Sequence, residues 1–146
     1  MLGVLNMRAA SSPDARSSTR VIFRIALLLL CSAYLQGGLV KLLDFQGALG
    51  EMHHFGLEPA APLAIATILL ELGASLAIVL GFWRWLGALA LALFTLAATF
   101  IANRFWEMPQ PERFMAMNAF FEHLGLVGGF LLVAWYDLLR TRRAPD

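Results

Sequence analysis

The stretch APLAIATILLELGASLAIVLGF, residues 61–82, decides the fold, because it is an apolar run interrupted by a single charge, Glu71. As a helix rising 1.5 Å per residue it spans roughly 30 Å, the thickness of a bilayer's hydrocarbon core. A strand is excluded, since a lone strand in lipid leaves its backbone N–H and C=O groups without partners. The same lipid disfavours Glu71: a carboxylate at the centre of a spanning helix costs roughly 2.5–3.5 kcal/mol on insertion scales. Such a residue faces the interior of a helix bundle, where it pairs or stays protonated, and it marks a candidate functional site.

Three further apolar segments flank this one, at residues 21–43, 85–102 and 118–139. The whole chain agrees with a membrane class. Of its 146 residues 60% are hydrophobic and 14% charged, with a mean hydropathy of +0.71, whereas soluble domains carry about 25% charge. The expected fold is all-α, an integral membrane antiparallel four-helix bundle. Residues 1–20, rich in Ser and Arg, read as a disordered leader, residues 21–140 as the transmembrane domain, and 141–146 as a basic tail. The first apolar run reaches Leu43 with no A-x-A site after it, so it reads as a retained span rather than a cleaved signal.

Orientation follows from Lys and Arg. Arg8, Arg16, Arg20, Arg24, Arg84, Arg140, Arg142 and Arg143 fall on one side, and Lys41, Arg104 and Arg113 on the other. The positive-inside rule then places both termini in the cytoplasm. The short turn at 81–84 makes a hairpin of the second and third spans. Two longer loops, 44–60 and 103–117, lie on the outer side, the first holding a short interfacial helix that ends at Gly56.

Membrane helices associate through small residues and interhelical hydrogen bonds. Ala88, Ala92, Thr95 and Thr99 share one face of the third span, and Thr67, Glu71 and Ser75 one face of the second. Gly125 and Gly129, with Glu122 before them, are expected to pack the fourth. Ser32, Gln36, Gly37 and Gly38 are expected to face the interior from the first, and Gly73 is a further packing candidate. Polar groups concentrate in the outer half. Glu71 is therefore the candidate catalytic or proton-carrying residue, with Gln36, Lys41, Asn103, Glu122 and His123 as candidates around a pocket between the first, second and fourth spans. Lys41 has a plain alternative in snorkelling to the interface, and His53 and His54 read as loop residues.

Several chemistries are poorly supported. No H-E-x-x-H, Walker, Rossmann or G-x-S-x-G pattern occurs. Only His123 lies within a span, so neither a metal site nor a bis-histidine haem is expected. Cys31 is the one cysteine, expected as an inert core group. A net charge of +1 points away from nucleic acid.

The order of four motifs resembles the DoxX family of small bacterial and archaeal four-helix membrane proteins. The first runs from Gly38-Leu39-Val40-Lys41 to Asp44-Phe45-Gln46-Gly47, and the second pairs Phe55-Gly56-Leu57-Glu58-Pro59 with Leu70-Glu71-Leu72-Gly73. The third is Asn103-Arg104-Phe105-Trp106 and the fourth Phe121-Glu122-His123-Leu124-Gly125. The resemblance covers about residues 25–134. It implies the fold, a bacterial inner (plasma) membrane location and a loose link to quinone-based redox chemistry, since the family takes its name from a subunit associated with an archaeal quinol oxidase. Many members have His where this chain has Asn103 and Lys-Asn where it has Glu122-His123, so a role of that family histidine does not transfer directly.

Three functions follow as expectations. The first is a redox-associated subunit that binds quinone and works with a partner oxidoreductase. The second is a non-catalytic membrane adaptor or assembly factor. The third is a proton or small-solute pathway through Glu71. Self-association into a homo-oligomer is compatible with the glycine faces.

Overall fold

The structure, a computed structural model, describes residues 13–143. Among them it is all-helical, with five α-helices: α1 (Pro13–Leu43), α2 (Phe45–His54), α3 (Ala60–Leu80), α4 (Arg84–Ala102) and α5 (Glu112–Arg143). A single 3₁₀ turn, Phe105–Glu107, precedes α5. Four helices are long and apolar enough to cross a membrane, within Ser17–Leu43, Ala60–Leu80, Arg84–Glu107 and Glu112–Thr141. The short α2 is the helix expected in the first outer loop.

Two boundaries differ from the sequence reading. Residues 13–20, expected as disordered leader, are the first turns of α1, and α5 starts at Glu112, ahead of the apolar run at 118. Hydropathy reports how much helix hydrocarbon requires; a helix continues beyond that length wherever polar residues support it. The leader's residues 1–12 and the tail's 144–146 lie outside the described residues.

Local signals set the remaining ends. Asp44 interrupts α1 and caps α2, its Oδ1 accepting from the Gly47 N–H at 2.9 Å. Gly81 ends α3 in the left-handed region (φ 86°), and its N–H donates to Ala77 O at 3.0 Å. Trp83, also left-handed (φ 47°), completes the tight hairpin and stacks on Phe82 with ring centroids 5.1 Å apart.

The helices pack in the spatial order α1–α3–α4–α5, with α1 and α5 meeting only sparsely. The core lies toward the end that holds the α3–α4 turn, where Leu27, Cys31, Ile78, Leu91 and Phe130 are buried. Glycine permits the close approaches. A Cβ on Gly87 would stand 2.9 Å from Ala74 O, and one on Gly38 would stand 2.8 Å from Leu72 Cγ. At the opposite end α2 packs on the start of α3 through Ala48, Met52, Ala60 and Ala64. There too Phe105 and Trp106 pack on Phe120, with centroids 5.5 and 6.0 Å apart.

The packing faces assign the glycines. Gly38 is an α1–α3 contact, and Gly129 an α5–α1 contact, where a Cβ would lie 3.1 Å from Leu30 Cδ1. Gly73 and Gly125 are corrected: among the described residues a Cβ on either meets nothing within 4 Å, so neither packs against another described helix. Gly37 stands beside the Glu71 carboxylate, a Cβ lying 3.5 Å from its Oε2.

Candidate functional site

The contacts between α1 and α5 lie toward the α3–α4 turn: Phe23 on Tyr136, Leu30 on Gly129, and Tyr34 edge-on to Phe130 at 5.3 Å. Beyond Tyr34 a cavity of about 570 Å³ occupies the α2 half of the bundle. Its walls are largely apolar, formed by residues such as Leu63, Leu70, Phe94, Ile101 and Leu126, and Met52 and Phe55 reach it from α2. That volume lies within the range of sites for small organic ligands, roughly 300–1,000 Å³.

Two polar stations face this space. The first is an ionic group. Glu71, 6% exposed, lies on α3, and Lys41 Nζ stands 3.4 Å from both its carboxylate oxygens. The same Nζ is 3.6 Å from Oε2 of Glu51 on α2. Lys41 therefore links a buried carboxylate to one near the surface, with side chains 8% and 44% exposed respectively. Distances of 3.4–3.6 Å are long for charge-assisted hydrogen bonds, which close to about 2.7–2.9 Å. The ammonium keeps freedom to turn a donor toward the cavity.

The second station is a hydroxyl and imidazole chain. Thr95 Oγ1 donates to Leu91 O at 2.6 Å, so it accepts from the Tyr34 hydroxyl at 2.5 Å. Thr99 Oγ1 likewise donates to Thr95 O at 2.6 Å, and His123 Nδ1 lies 3.0 Å from it. Thr99, its proton already placed, can only accept from Nδ1, whereas the Asn103 amide nitrogen can only donate to it, so one of these two contacts is a hydrogen bond in either tautomer. Asn103 reaches the same Nδ1 at 3.2 Å. It braces the histidine from behind and does not line the cavity.

Of the sequence candidates, Glu71, Lys41 and His123 come together at the cavity, and Asn103 joins through His123. Gln36 and Glu122 do not: both are exposed and neither lines the space. On α1 the interior face is Leu27, Cys31, Tyr34 and Gly38, and Ser32 satisfies itself on Leu29 O at 2.8 Å. On α5 the inward residue is His123, about 100° around the helix from Glu122. The cavity also lies between α1, α3 and α4, with α5 contributing only His123 and Leu126, so the expected pocket between the first, second and fourth spans shifts toward the third.

Tyr34, Glu51 and the cavity-facing side of Thr95 were not among the sequence candidates. Hydroxyls in an apolar run raise no alarm, and Glu51 lay in a loop that gave no pairing. His53 and His54 are exposed on α2, with His53 Nδ1 2.7 Å from Glu58 Oε1. Among the described residues no group of three His, Cys, Asp or Glu side chains is placed to hold a metal. Cys31 is free and fully buried.

A four-span bundle enclosing a mostly apolar cavity with a paired lysine and glutamate is a multi-pass membrane protein. The DoxX family model matches residues 21–104, and the chain belongs to the DoxX family. The match ends just after α4, so α5 and its Glu122-His123 pair lie beyond it. The chain is also similar to the inner membrane protein YphA of Escherichia coli (strain K12), with 29% identity over 120 residues, 82% of this chain and 84% of that protein. No solved structure matches.

Proposed function

We propose that this DoxX-family protein lies in a bacterial inner membrane with both termini in the cytoplasm, binds a quinone in the α2-end cavity, and works with a partner oxidoreductase. One observation carries the reading: a largely apolar cavity of ligand size meets hydrogen-bonding groups at two separate stations, Lys41–Glu71 and Tyr34–Thr95–His123. A quinone has that character, with an apolar ring and tail and two carbonyl acceptors. Lys41 donates to one carbonyl, Glu71 holds or releases the accompanying proton, and His123 Nε2 bonds the second oxygen, donating to a carbonyl in one tautomer or accepting from the hydroxyl of the reduced form in the other. Electrons come from the partner. The sparse α1–α5 contact beyond Tyr34 gives a lipid-soluble molecule a lateral route in.

An azidoquinone photoprobe tests this. Labelled peptides should map to the cavity segments of α1 and α4 and be protected by a soluble short-chain quinone. Labelling confined to lipid-facing residues, without protection, would overturn the reading.

The adaptor reading has its own observation. Gly125 and Gly128 present open, exposed positions on α5 that none of the described helices fills, a surface suited to close approach by another membrane helix. A partner that co-purifies with the wild type and is lost from Gly125→Leu, while bound quinone is absent from both, would favour it.

A further inference from the structure

The cavity's charge is set by three side chains. Among the lining residues Lys41 is the one cation, and Glu51 and Glu71 are the two carboxylates. The ammonium lies between them, at 3.6 Å from one and 3.4 Å from the other. We infer that this arrangement selects the ligand's charge class: the cavity admits neutral hydrogen-bonding amphiphiles and rejects anionic ones of the same size, with Glu51 as the specificity-determining residue. This rests on the reading that the cavity holds a ligand, and it does not require that ligand to be a quinone.

A lone lysine above an apolar cavity would attract carboxylate or phosphate headgroups, which are abundant in any membrane. Here an entering anion meets a cation whose field is already offset by two carboxylates. At the remaining N–H it stands beside both carboxylates and is repelled by them; to pair more fully with Nζ it would have to displace one, and a displaced Glu71 would be left unpaired in a site where it is almost wholly buried. A neutral carbonyl or hydroxyl accepts from the remaining N–H direction and displaces nothing. Glu51 matters most for selection because its side chain is 44% exposed and carried on α2, which also supplies Met52 and Phe55 to the cavity. It adds negative charge at the α2 end without being buried, so replacing it alters the charge balance with little cost to the fold.

Hexadecanol and palmitate share a chain and differ in headgroup charge. Their affinities are measured on purified protein in nonionic detergent, at a pH where palmitate is ionised, for the wild type and Glu51→Gln. Micelle partition cancels when the palmitate-to-hexadecanol ratio is compared between the two proteins. The wild type should favour hexadecanol by tenfold or more, and Glu51→Gln should reduce that preference by about tenfold, the effect of one charge interaction worth 1.4 kcal/mol. Equal affinities in the wild type, a preference unmoved by Glu51→Gln, or no binding of either probe would each overturn the inference. A short-chain quinone run alongside separates the two readings: hexadecanol bound selectively but quinone not bound would end the quinone proposal and leave charge selection standing.

Discussion

The two ends of the bundle each hold one partly buried acid–base pair, and the pairs are built for different work. At the α3–α4 turn, Arg84 and Asp137 lie 3.4 Å apart, 14% and 18% exposed, and both bond neighbouring backbone groups. Arg84 Nε donates to Ile78 O at 2.9 Å, its guanidinium lies over the Phe23 ring at 5.4 Å, and Asp137 Oδ2 accepts from the Trp85 N–H at 3.2 Å. That carboxylate caps the start of α4, where the helix dipole favours negative charge. The pair fastens α1, α3, α4 and α5 together around a filled core. At the α2 end Lys41 and Glu71 are also 3.4 Å apart, yet they face a cavity and bond no backbone group. Similar distance and similar burial thus carry little information about role; what the remaining donors and acceptors face does.

The comparison can be broken by substitution. The largest effect is expected for Lys41→Met, which strands Glu71: about 3–5 kcal/mol of stability lost, read as a lowered midpoint of thermal unfolding in detergent. Adding Glu71→Gln to Lys41→Met should restore most of it, because a neutral amide needs no counter-charge. If the double variant is as unstable as the single one, the pair is not what couples these positions. Asp137→Asn should cost about 1.5–3 kcal/mol, the range for hydrogen bonds to charged groups, and should leave ligand retention intact. Loss of ligand on a par with Glu71 variants would erase the distinction between the two ends.

Smaller effects sharpen the picture. Gly87→Ala forces a methyl against Ala74 O and should cost about 1–3 kcal/mol, while Gly125→Ala, in open space, should stay within about 0.5 kcal/mol. Gln36→Leu should be as neutral, since that side chain faces away from the cavity. A Gln36 variant that loses ligand would return the site to the position the sequence suggested.

How far the sequence reached follows from which signals lipid amplifies. The spans were legible because hydrocarbon demands long apolar helices, and Glu71 because a lone charge there has few tolerable surroundings. The face of α4 was legible too, as Ala88, Ala92, Thr95 and Thr99 are all buried. On α1 the same logic chose the wrong side. Ser32 and Gln36 are the more polar residues, but a serine that bonds its own helix backbone has no need of the interior. On α5 a choice between the neighbours Glu122 and His123 is a choice of helix rotation, which only packing against α4 settles. The pairing of Lys41 with Glu51 was beyond reach, because it depends on how α2 folds back over the bundle. The termini's orientation rests on charge counting alone.

A quinone held at Glu71 in the α2-end cavity should stay bound through purification. Mass spectrometry of the lipid-soluble molecules carried by the detergent-purified protein tests it most directly, with the wild type beside Glu71→Gln and Asp137→Asn. Quinone should be enriched in the wild type and in Asp137→Asn and lost from Glu71→Gln. Quinone absent from all three, or present equally in all three, would contradict it.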